Sequence, residues 1–137
     1  MTGYLLDTNV VSELRKRDRA NQGVRAWFED HAHDEIWLSV LVVAELGRGV
    51  RLLRRRDAHA ADRLDEWLAS LVDRYSDRII PIDLPIAQRW STIGVPDPLP
   101  IIDGLLAATA LHHNLALVTR NTTDVARSGA LYLNPFA

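Results

Sequence analysis

The sequence predicts an α/β fold in which helices flank a mostly parallel central sheet. Short apolar runs alternate along the chain with longer stretches of helical spacing, which is the order expected of a parallel α/β sheet. The run at 115–118 is apolar throughout, as in a strand that is buried on both faces. With 137 residues, 47% of them hydrophobic, the chain is predicted to form a single domain over residues 1–137.

The first half of the chain is predicted to contain two strands and four helices. Ser39 follows the second strand as an N-cap, because its hydroxyl can accept a hydrogen bond from an unpaired first-turn N–H group. The helix after Ser39 starts apolar and ends with arginines, which suit the negative end of a helix dipole. In chain order the predicted elements are a strand at 4–6, helices at 8–16 and 24–31, a strand at 35–38, a helix from 40 to about 55 and an amphipathic helix at 62–75.

Proline and asparagine mark the element boundaries predicted in the second half. Pro81 closes a strand, three prolines make 94–100 the clearest loop, and Pro100 is predicted at the first position of the next helix. Asn114 is predicted to end that helix. In chain order the predicted elements are a strand at 78–82, helices at 85–93 and 101–113, a strand at 115–118, a short helix after Thr122-Thr123 and a strand at 131–133.

The composition excludes several classes of function. The absence of cysteine excludes a disulfide scaffold, a thiolate zinc site and a cysteine nucleophile, and it fits a reducing cytosol. A formal charge of −2 argues against a protein that coats DNA, because such binding depends on many contacts from lysine and arginine to phosphates. No apolar stretch approaches the ~20 residues that a membrane span needs. We therefore expect a cytoplasmic protein without a membrane partner.

Acidic residues occupy the positions where a parallel sheet binds ligands. Asp7 directly follows the first predicted strand, and Asp124 comes shortly after the strand at 115–118. In open α/β sheets, ligands bind beyond the carboxyl ends of the strands. Asp103 lies in the first turn of a helix, and Glu45 lies on an apolar helix stripe, where a carboxylate is costly to bury unless it is paired or binds a metal.

Each of these acids also has a purely structural interpretation. Asp7 can cap the helix that starts at Thr8, Asp103 can favour a helix dipole, and Asp124 can cap the short helix. Glu45 can pair with Arg48 three residues on. Taken together, however, three or four converging carboxylates need a cation, and ligands that are all oxygen favour Mg²⁺ or Mn²⁺. Such an ion indicates metal-dependent hydrolysis of phosphodiesters.

Four motifs resemble those of PIN-domain nucleases and, within that superfamily, the VapC toxins of bacterial type II toxin–antitoxin systems. The resemblance covers essentially the whole chain and keeps the motif order. The matching segments are 5–14 with Asp7, 39–46 with Glu45, 102–110 with Asp103, and 117–121 followed by Asp124. The ending Leu133-Asn134-Pro135-Phe136 is also similar to the end of this family's chains.

The resemblance implies a Mg²⁺-dependent ribonuclease toxin, with Mn²⁺ as a possible substitute. It implies an RNA substrate in tRNA or rRNA, inhibition of translation, neutralisation by a VapB-type antitoxin, and a homodimer. Asp7 and Asp103 would bind the metal, while Glu45 and Asp124 would complete the catalytic acids. The residues implied to line the pocket or contact substrate are Thr8, Asn9, Ser12, Thr119, Asn121, Arg48 and Arg51.

Two features leave alternatives open. Asn121 stands where many PIN domains have a fourth carboxylate, so either Asp124 supplies that acid or the site uses three acids. This departure puts the number of metals in doubt and keeps a second hypothesis, a degenerate PIN-like binding module. Arg48, Arg51 and Arg55 share one helix face, which is either solvated, binds phosphate, or meets acidic residues of an antitoxin.

Overall fold

The computed structural model describes residues 3–137, so the first two residues of the predicted domain lie outside the described range. The strands in this range are β1 (Gly3–Leu6), β2 (Glu35–Ser39), β3 (Ile79–Ile80), β4 (Ala116–Val118) and β5 (Tyr132–Leu133). The α-helices are α1 (Thr8–Leu14), α2 (Gln22–Asp30), α3 (Val40–Arg54), α4 (Ala58–Arg74), α5 (Leu84–Trp90), α6 (Ile101–His113) and α7 (Thr122–Ala126).

The strands form one parallel sheet in the order β3-β2-β1-β4-β5, which confirms the predicted fold class. β1 lies at the centre, and its side chains Leu5 and Leu6 are buried among apolar residues of the helices. Leu117 and Val118 of β4 are also almost fully buried, as predicted from their wholly apolar run. Leu6 pairs with Val118, so the residues that follow β1 and β4 leave the sheet side by side.

Capping side chains set the helix boundaries. Ser39 accepts a hydrogen bond from the Leu41 amide and caps α3, as predicted. Asp57 caps α4 through the Ala60 amide, so this helix begins four residues earlier than the predicted residue 62. Asp83 caps α5 in the same way through Ile86. Asn114 ends α6 in the left-handed conformation, as its residue type favours.

Several predicted boundaries are wrong, and a proline explains two of them. Pro100 is the N-cap of α6 and not its first helical residue, because its ψ of 142° is extended. The strand predicted at 78–82 is reduced to Ile79–Ile80, since Pro81 has no N–H group to continue the ladder. Helix α1 ends at Leu14, two residues earlier than predicted, and a 3₁₀ turn follows at Arg17–Arg19. No helix among the described residues is long and apolar enough to cross a bilayer.

Candidate active site

Asp7 lies at the carboxyl edge of the sheet, where β1 gives way to α1. Its amide donates to the carbonyl of Val118 at 2.9 Å, so the β1–β4 ladder continues one residue past β1. Its side chain is only 6% exposed. The register places Thr119 beside it, and Thr119 is fully buried. The ends of β1 and β4 therefore place the Asp7 carboxylate and the Thr119 hydroxyl next to each other in a buried position.

Three donors hold the Asp7 carboxylate. The Thr8 amide donates to Oδ1 at 2.7 Å, which is the N-cap bond of α1. The Thr119 hydroxyl donates to Oδ2 at 2.7 Å, and the Asn9 side-chain amide donates to Oδ2 at 3.2 Å. Asp7 can therefore cap α1 and also take part in the candidate active site, because the N-cap bond uses only its Oδ1.

Glu45 reaches the same region from α3. It is half-buried, and its Oε1 accepts a hydrogen bond from the Thr8 hydroxyl at 2.5 Å. Thr8 thus joins the two acids, with its amide bound to Asp7 and its hydroxyl bound to Glu45. Among the described residues Glu45 makes no ion pair with Arg48, so the structural interpretation of Glu45 is wrong.

Asn121 connects the other two acids. Its side-chain amide donates to Asp103 Oδ2 at 2.9 Å and to Asp124 Oδ2 at 3.1 Å. Its backbone amide donates to the Thr119 hydroxyl at 2.9 Å, which ties this group to Asp7. The amide therefore places two donor hydrogens between carboxylates that would otherwise repel each other.

The four acids act on one another electrostatically. Partial burial raises the pKa of Asp103, and the charges of Asp7, Asp124 and Glu45 raise it further. The hydrogen bond from Asn121 opposes this shift in pKa but does not cancel it. We call Asp7, Glu45, Asp103 and Asp124 the acidic pocket. In the absence of a cation, the charges of the other three members disfavour the charged form of Asp103.

The donor chemistry of the acidic pocket fits a hard divalent cation. All four members offer carboxylate oxygens, while Asn121 faces two of them with its side-chain N–H donors. Within residues 3–137 no three His, Asp or Glu side chains form a ready-made metal cluster. Mg²⁺ does not require one, since it keeps several waters and binds through one or two carboxylates.

Arg127 is a residue of this region that the sequence analysis missed. Its Nη2 lies 3.3 Å from Asp124 Oδ1, and its Nη1 donates to the Asp97 carbonyl at 2.9 Å. The only available signal was its spacing of three residues from Asp124 on a helix. The predicted capping role of Asp124 is wrong: it lies in the first turn of α7, while Asn121 holds the N-cap position without a side-chain bond.

A match to a known family decides the classification. Residues 4–127 match the PIN domain family model, which spans all four motifs. The chain belongs to the PIN-domain family. It is 33% identical to Toxin FitB of Neisseria gonorrhoeae, with 96% of this chain and 97% of FitB covered. It is 28% identical to VapC ribonuclease Y4jK of Sinorhizobium fredii, with 96% of each covered.

A solved structure repeats this PIN-domain architecture. A chain in the structure of FitAB bound to an IR36 DNA fragment superposes with a TM-score of 0.87 and 31% identity, covering 98% of this chain and 96% of that one. The agreement extends to nearly the full length of both chains. The chain is therefore a FitB- and VapC-like member of the PIN-domain family.

The other residues predicted to line the pocket or contact the substrate do not all lie at the acidic pocket. Asn9 joins the site, because its Oδ1 also accepts from the Arg120 amide at 3.3 Å. Ser12 is exposed, and no hydrogen bond of the described residues links it to the acidic pocket. Arg48 and Arg51 lie exposed on α3 beside Gly47 and Arg55 and form no ion pair within residues 3–137.

The raised pKa of Asp103 predicts that ionisation of its carboxyl group lowers the free energy of unfolding of the metal-free protein. The folded-state pKa exceeds the unfolded value, so stability falls as pH rises from about 4 through the folded pKa and stays reduced above it. Asp103→Asn should therefore melt at a higher temperature than wild type at neutral pH in EDTA, and the gain should shrink near pH ~4. Asp65→Asn, an exposed α4 acid, is the control. A melting temperature for Asp103→Asn at or below that of wild type at neutral pH would contradict the prediction.

Proposed function

We propose that this PIN-domain protein is a Mg²⁺-dependent ribonuclease toxin that acts on tRNA or rRNA in the cytoplasm. The observation that carries the proposal is the acidic pocket, in which Thr8 joins Asp7 to Glu45 and Asn121 joins Asp103 to Asp124. A bound divalent cation would offset the repulsion among these carboxylates that the donors of Asn121 do not cancel. The similarity to VapC ribonuclease Y4jK supports RNA as the substrate.

Asp7 and Asp103 are the proposed metal ligands. A bound Mg²⁺ supplies Lewis acidity toward a phosphoryl oxygen and lowers the pKa of a coordinated water. Thr119 and Thr8 fix the Asp7 carboxylate, so one ligand is oriented before the ion arrives. Asn121 plays the same part for Asp103, to which it donates its side-chain N–H.

Glu45 and Asp124 complete the proposed catalytic acids. Glu45 has one oxygen bound to Thr8, which leaves the other free to accept a proton from an attacking water. Asp124 is held by Asn121 and Arg127, so its carboxylate is fixed beside Asp103. Arg48 and Arg51, together with Thr8, Asn9 and Asn121, are proposed to contact the RNA; the arginines have no competing ion pair within residues 3–137.

We also propose that a VapB-type antitoxin neutralises the protein. Structural neighbours of the chain are FitAB and VapBC complexes. A cleft of about 270 Å³ between α1, α2 and α4 offers a docking surface that combines Leu14, Phe28 and Trp67 with arginines. The four arginines of its wall outnumber its two acids, so an apolar segment with acidic residues fits it: the arginines are Arg15, Arg17, Arg25 and Arg74, and the acids are Asp18 and Glu29.

A homodimer is proposed on the evidence of exposed apolar side chains near α5 and α6. Leu84 and Ile101 are 69% and 66% exposed, which is unfavourable for such side chains in water. A second copy of the chain would cover them. Light scattering of the isolated protein measures the mass directly.

The deciding experiment is cleavage of total RNA by the purified protein freed of any partner. We expect discrete cuts with Mg²⁺ or Mn²⁺, complete loss of cutting in EDTA, and recovery when Mg²⁺ is restored. Adding the cognate antitoxin should suppress the cuts. Sequencing of the new 5′ ends after brief induction in cells identifies the RNA target.

The alternative function, a degenerate PIN-like binding module, gives the opposite result. Asn121 favours it, because a charge present in many PIN domains is missing here. The hydrogen bonds of Asn121 to Asp103 and Asp124 argue for the enzyme, since the amide supports the acids and does not displace them. RNA that is bound but left intact with either metal would establish the binding module.

A further inference from the structure

A polar pocket lies next to the acidic pocket and has no role in the proposed chemistry so far. It is an open pocket of about 450 Å³ between α5, residues 92–97, α6 and the residues that follow α7. This volume lies in the range of small-molecule sites and admits a nucleotide-sized group. We call it the loop pocket; its polar wall comprises Arg89, Thr92, Asp97, Arg127 and Ser128.

Arg127 forms a wall that the two pockets share. One guanidinium nitrogen lies 3.3 Å from the carboxylate of Asp124, and another donates to the Asp97 carbonyl. Asp124 in turn is bound to Asn121, which is bound to Asp103. A polymer whose reacting phosphate lies at the acidic pocket therefore has an adjoining space for its neighbouring unit on the far side of Arg127.

The loop pocket is shaped before any ligand binds. Gly94 adopts φ +70°, and a Cβ atom there would lie 2.8 Å from the Asp97 carbonyl oxygen, so this tight turn needs glycine. Leu99 anchors the other end of the segment 91–100 in the core at 8% exposure. Arg127 ties the middle of the segment to α7 through the Asp97 carbonyl. A fixed wall of this kind lowers the ordering cost of binding.

Arg89 is the cation of the loop pocket that remains available. It is exposed at the end of α5, and within residues 3–137 it makes neither an ion pair nor a side-chain hydrogen bond. Arg127 is already partly neutralised by Asp124. The wall therefore carries two guanidinium groups and one carboxylate, that of Asp97, and the planar guanidinium group suits the paired oxygens of a phosphate.

From this geometry we propose that the loop pocket binds a backbone phosphate of the RNA one or more nucleotides from the cleaved bond, with Arg89 as its principal contact. The proposal rests on the proposed ribonuclease function, because it is the substrate that links the two pockets. It assigns Arg89 to positioning the substrate and not to catalysis. An acidic segment of a protein partner is the competing occupant, and the test below distinguishes the two.

The test measures how salt affects the binding of a single-stranded RNA oligonucleotide to the full chain carrying Asp7→Asn, which prevents cleavage. Each phosphate contact to a single strand contributes about 0.7 to the slope of log K against log salt. Arg89→Ala should therefore reduce this slope by about 0.7 and weaken binding roughly fivefold at 0.1 M salt. Arg89→Lys should keep the slope, because it keeps the charge, and should lose only the part of the affinity that depends on the paired guanidinium contact. Arg63→Ala, an exposed arginine on α4, should leave slope and affinity unchanged.

The outcomes separate the proposals. If Arg89→Ala shows the same slope of log K against log salt as Arg63→Ala, the inference is overturned. If the wild-type chain still cleaves RNA, the ribonuclease function stands. Equal losses of RNA affinity in Arg89→Ala and Arg63→Ala also overturn the inference, because any exposed arginine would then contribute as much as Arg89. Unchanged RNA binding with weaker antitoxin binding assigns the pocket to the protein partner instead. A wild-type chain that neither binds nor cleaves RNA overturns the ribonuclease function, and the inference with it.

Discussion

Asp7→Asn is expected to abolish RNA cleavage and toxicity on expression while the fold survives. The substitution removes the charge of a proposed metal ligand, and loss of several kcal/mol of charge stabilisation corresponds to a rate reduction of roughly 10²-fold or more. Asparagine caps helices about as well as aspartate, so the bond from the Thr8 amide can persist. The loss in unfolding free energy should not exceed about 1–3 kcal/mol, as measured by circular dichroism in urea, because an amide nitrogen cannot accept the hydrogen bonds that Thr119 and Asn9 donate to Oδ2.

Asp57→Asn is the matched control for this experiment. Asp57 also caps a helix, through the Ala60 amide, but it is exposed and belongs to α4, away from the acidic pocket. The same chemical change at this cap should leave cleavage and toxicity at wild-type levels. Equal toxicity from Asp7→Asn and wild type would remove Asp7 from the proposed catalytic residues.

The fold and the convergence of the candidate site residues could be predicted because both depend on the order of strands and helices. The alternation of apolar runs with helical spacing determines the order of strands and helices, and a parallel sheet brings the ends of β1 and β4 together. Ser39 was identifiable because capping involves residues only two positions apart. The start of α4 was missed because the run Arg54-Arg55-Arg56 before Asp57 conceals the cap in a continuous charged stretch.

The roles of Asn121 and Arg127 could not be predicted from local patterns. In the sequence Asn121 is a missing carboxylate, whereas in the structure its amide bridges Asp103, eighteen residues away, and Asp124. Arg127 binds the carbonyl of Asp97, thirty residues away. The first contact depends on how the first turn of α6 packs against the start of α7, and the second on how the segment before α6 packs against the end of α7. No spacing or hydrophobic period along the chain encodes that packing.

Thr119→Val is expected to weaken both stability and cleavage. The Thr119 hydroxyl donates to Asp7 Oδ2 at 2.7 Å and accepts from the Asn121 amide at 2.9 Å, in a position that is fully buried. Valine has nearly the same shape but leaves that amide without a partner, which costs about 1–3 kcal/mol. Cleavage should fall by roughly 10–100-fold, the usual effect of removing a group that orients a metal ligand. Urea unfolding and single-turnover cleavage of RNA measure the two effects.

Thr109→Val separates the contact with Asp7 from the general cost of removing a buried hydroxyl. Thr109 is equally buried, but its hydroxyl donates only to the Leu105 carbonyl within α6, and that carbonyl keeps its helical partner. The control should lose less than about 1 kcal/mol and cleave RNA at the wild-type rate. If the two variants lose stability equally and both cleave normally, the Thr119–Asp7 bond is only structural. If Thr119→Val alone loses cleavage, the orientation of Asp7 depends on a buried hydroxyl supplied by the neighbouring strand.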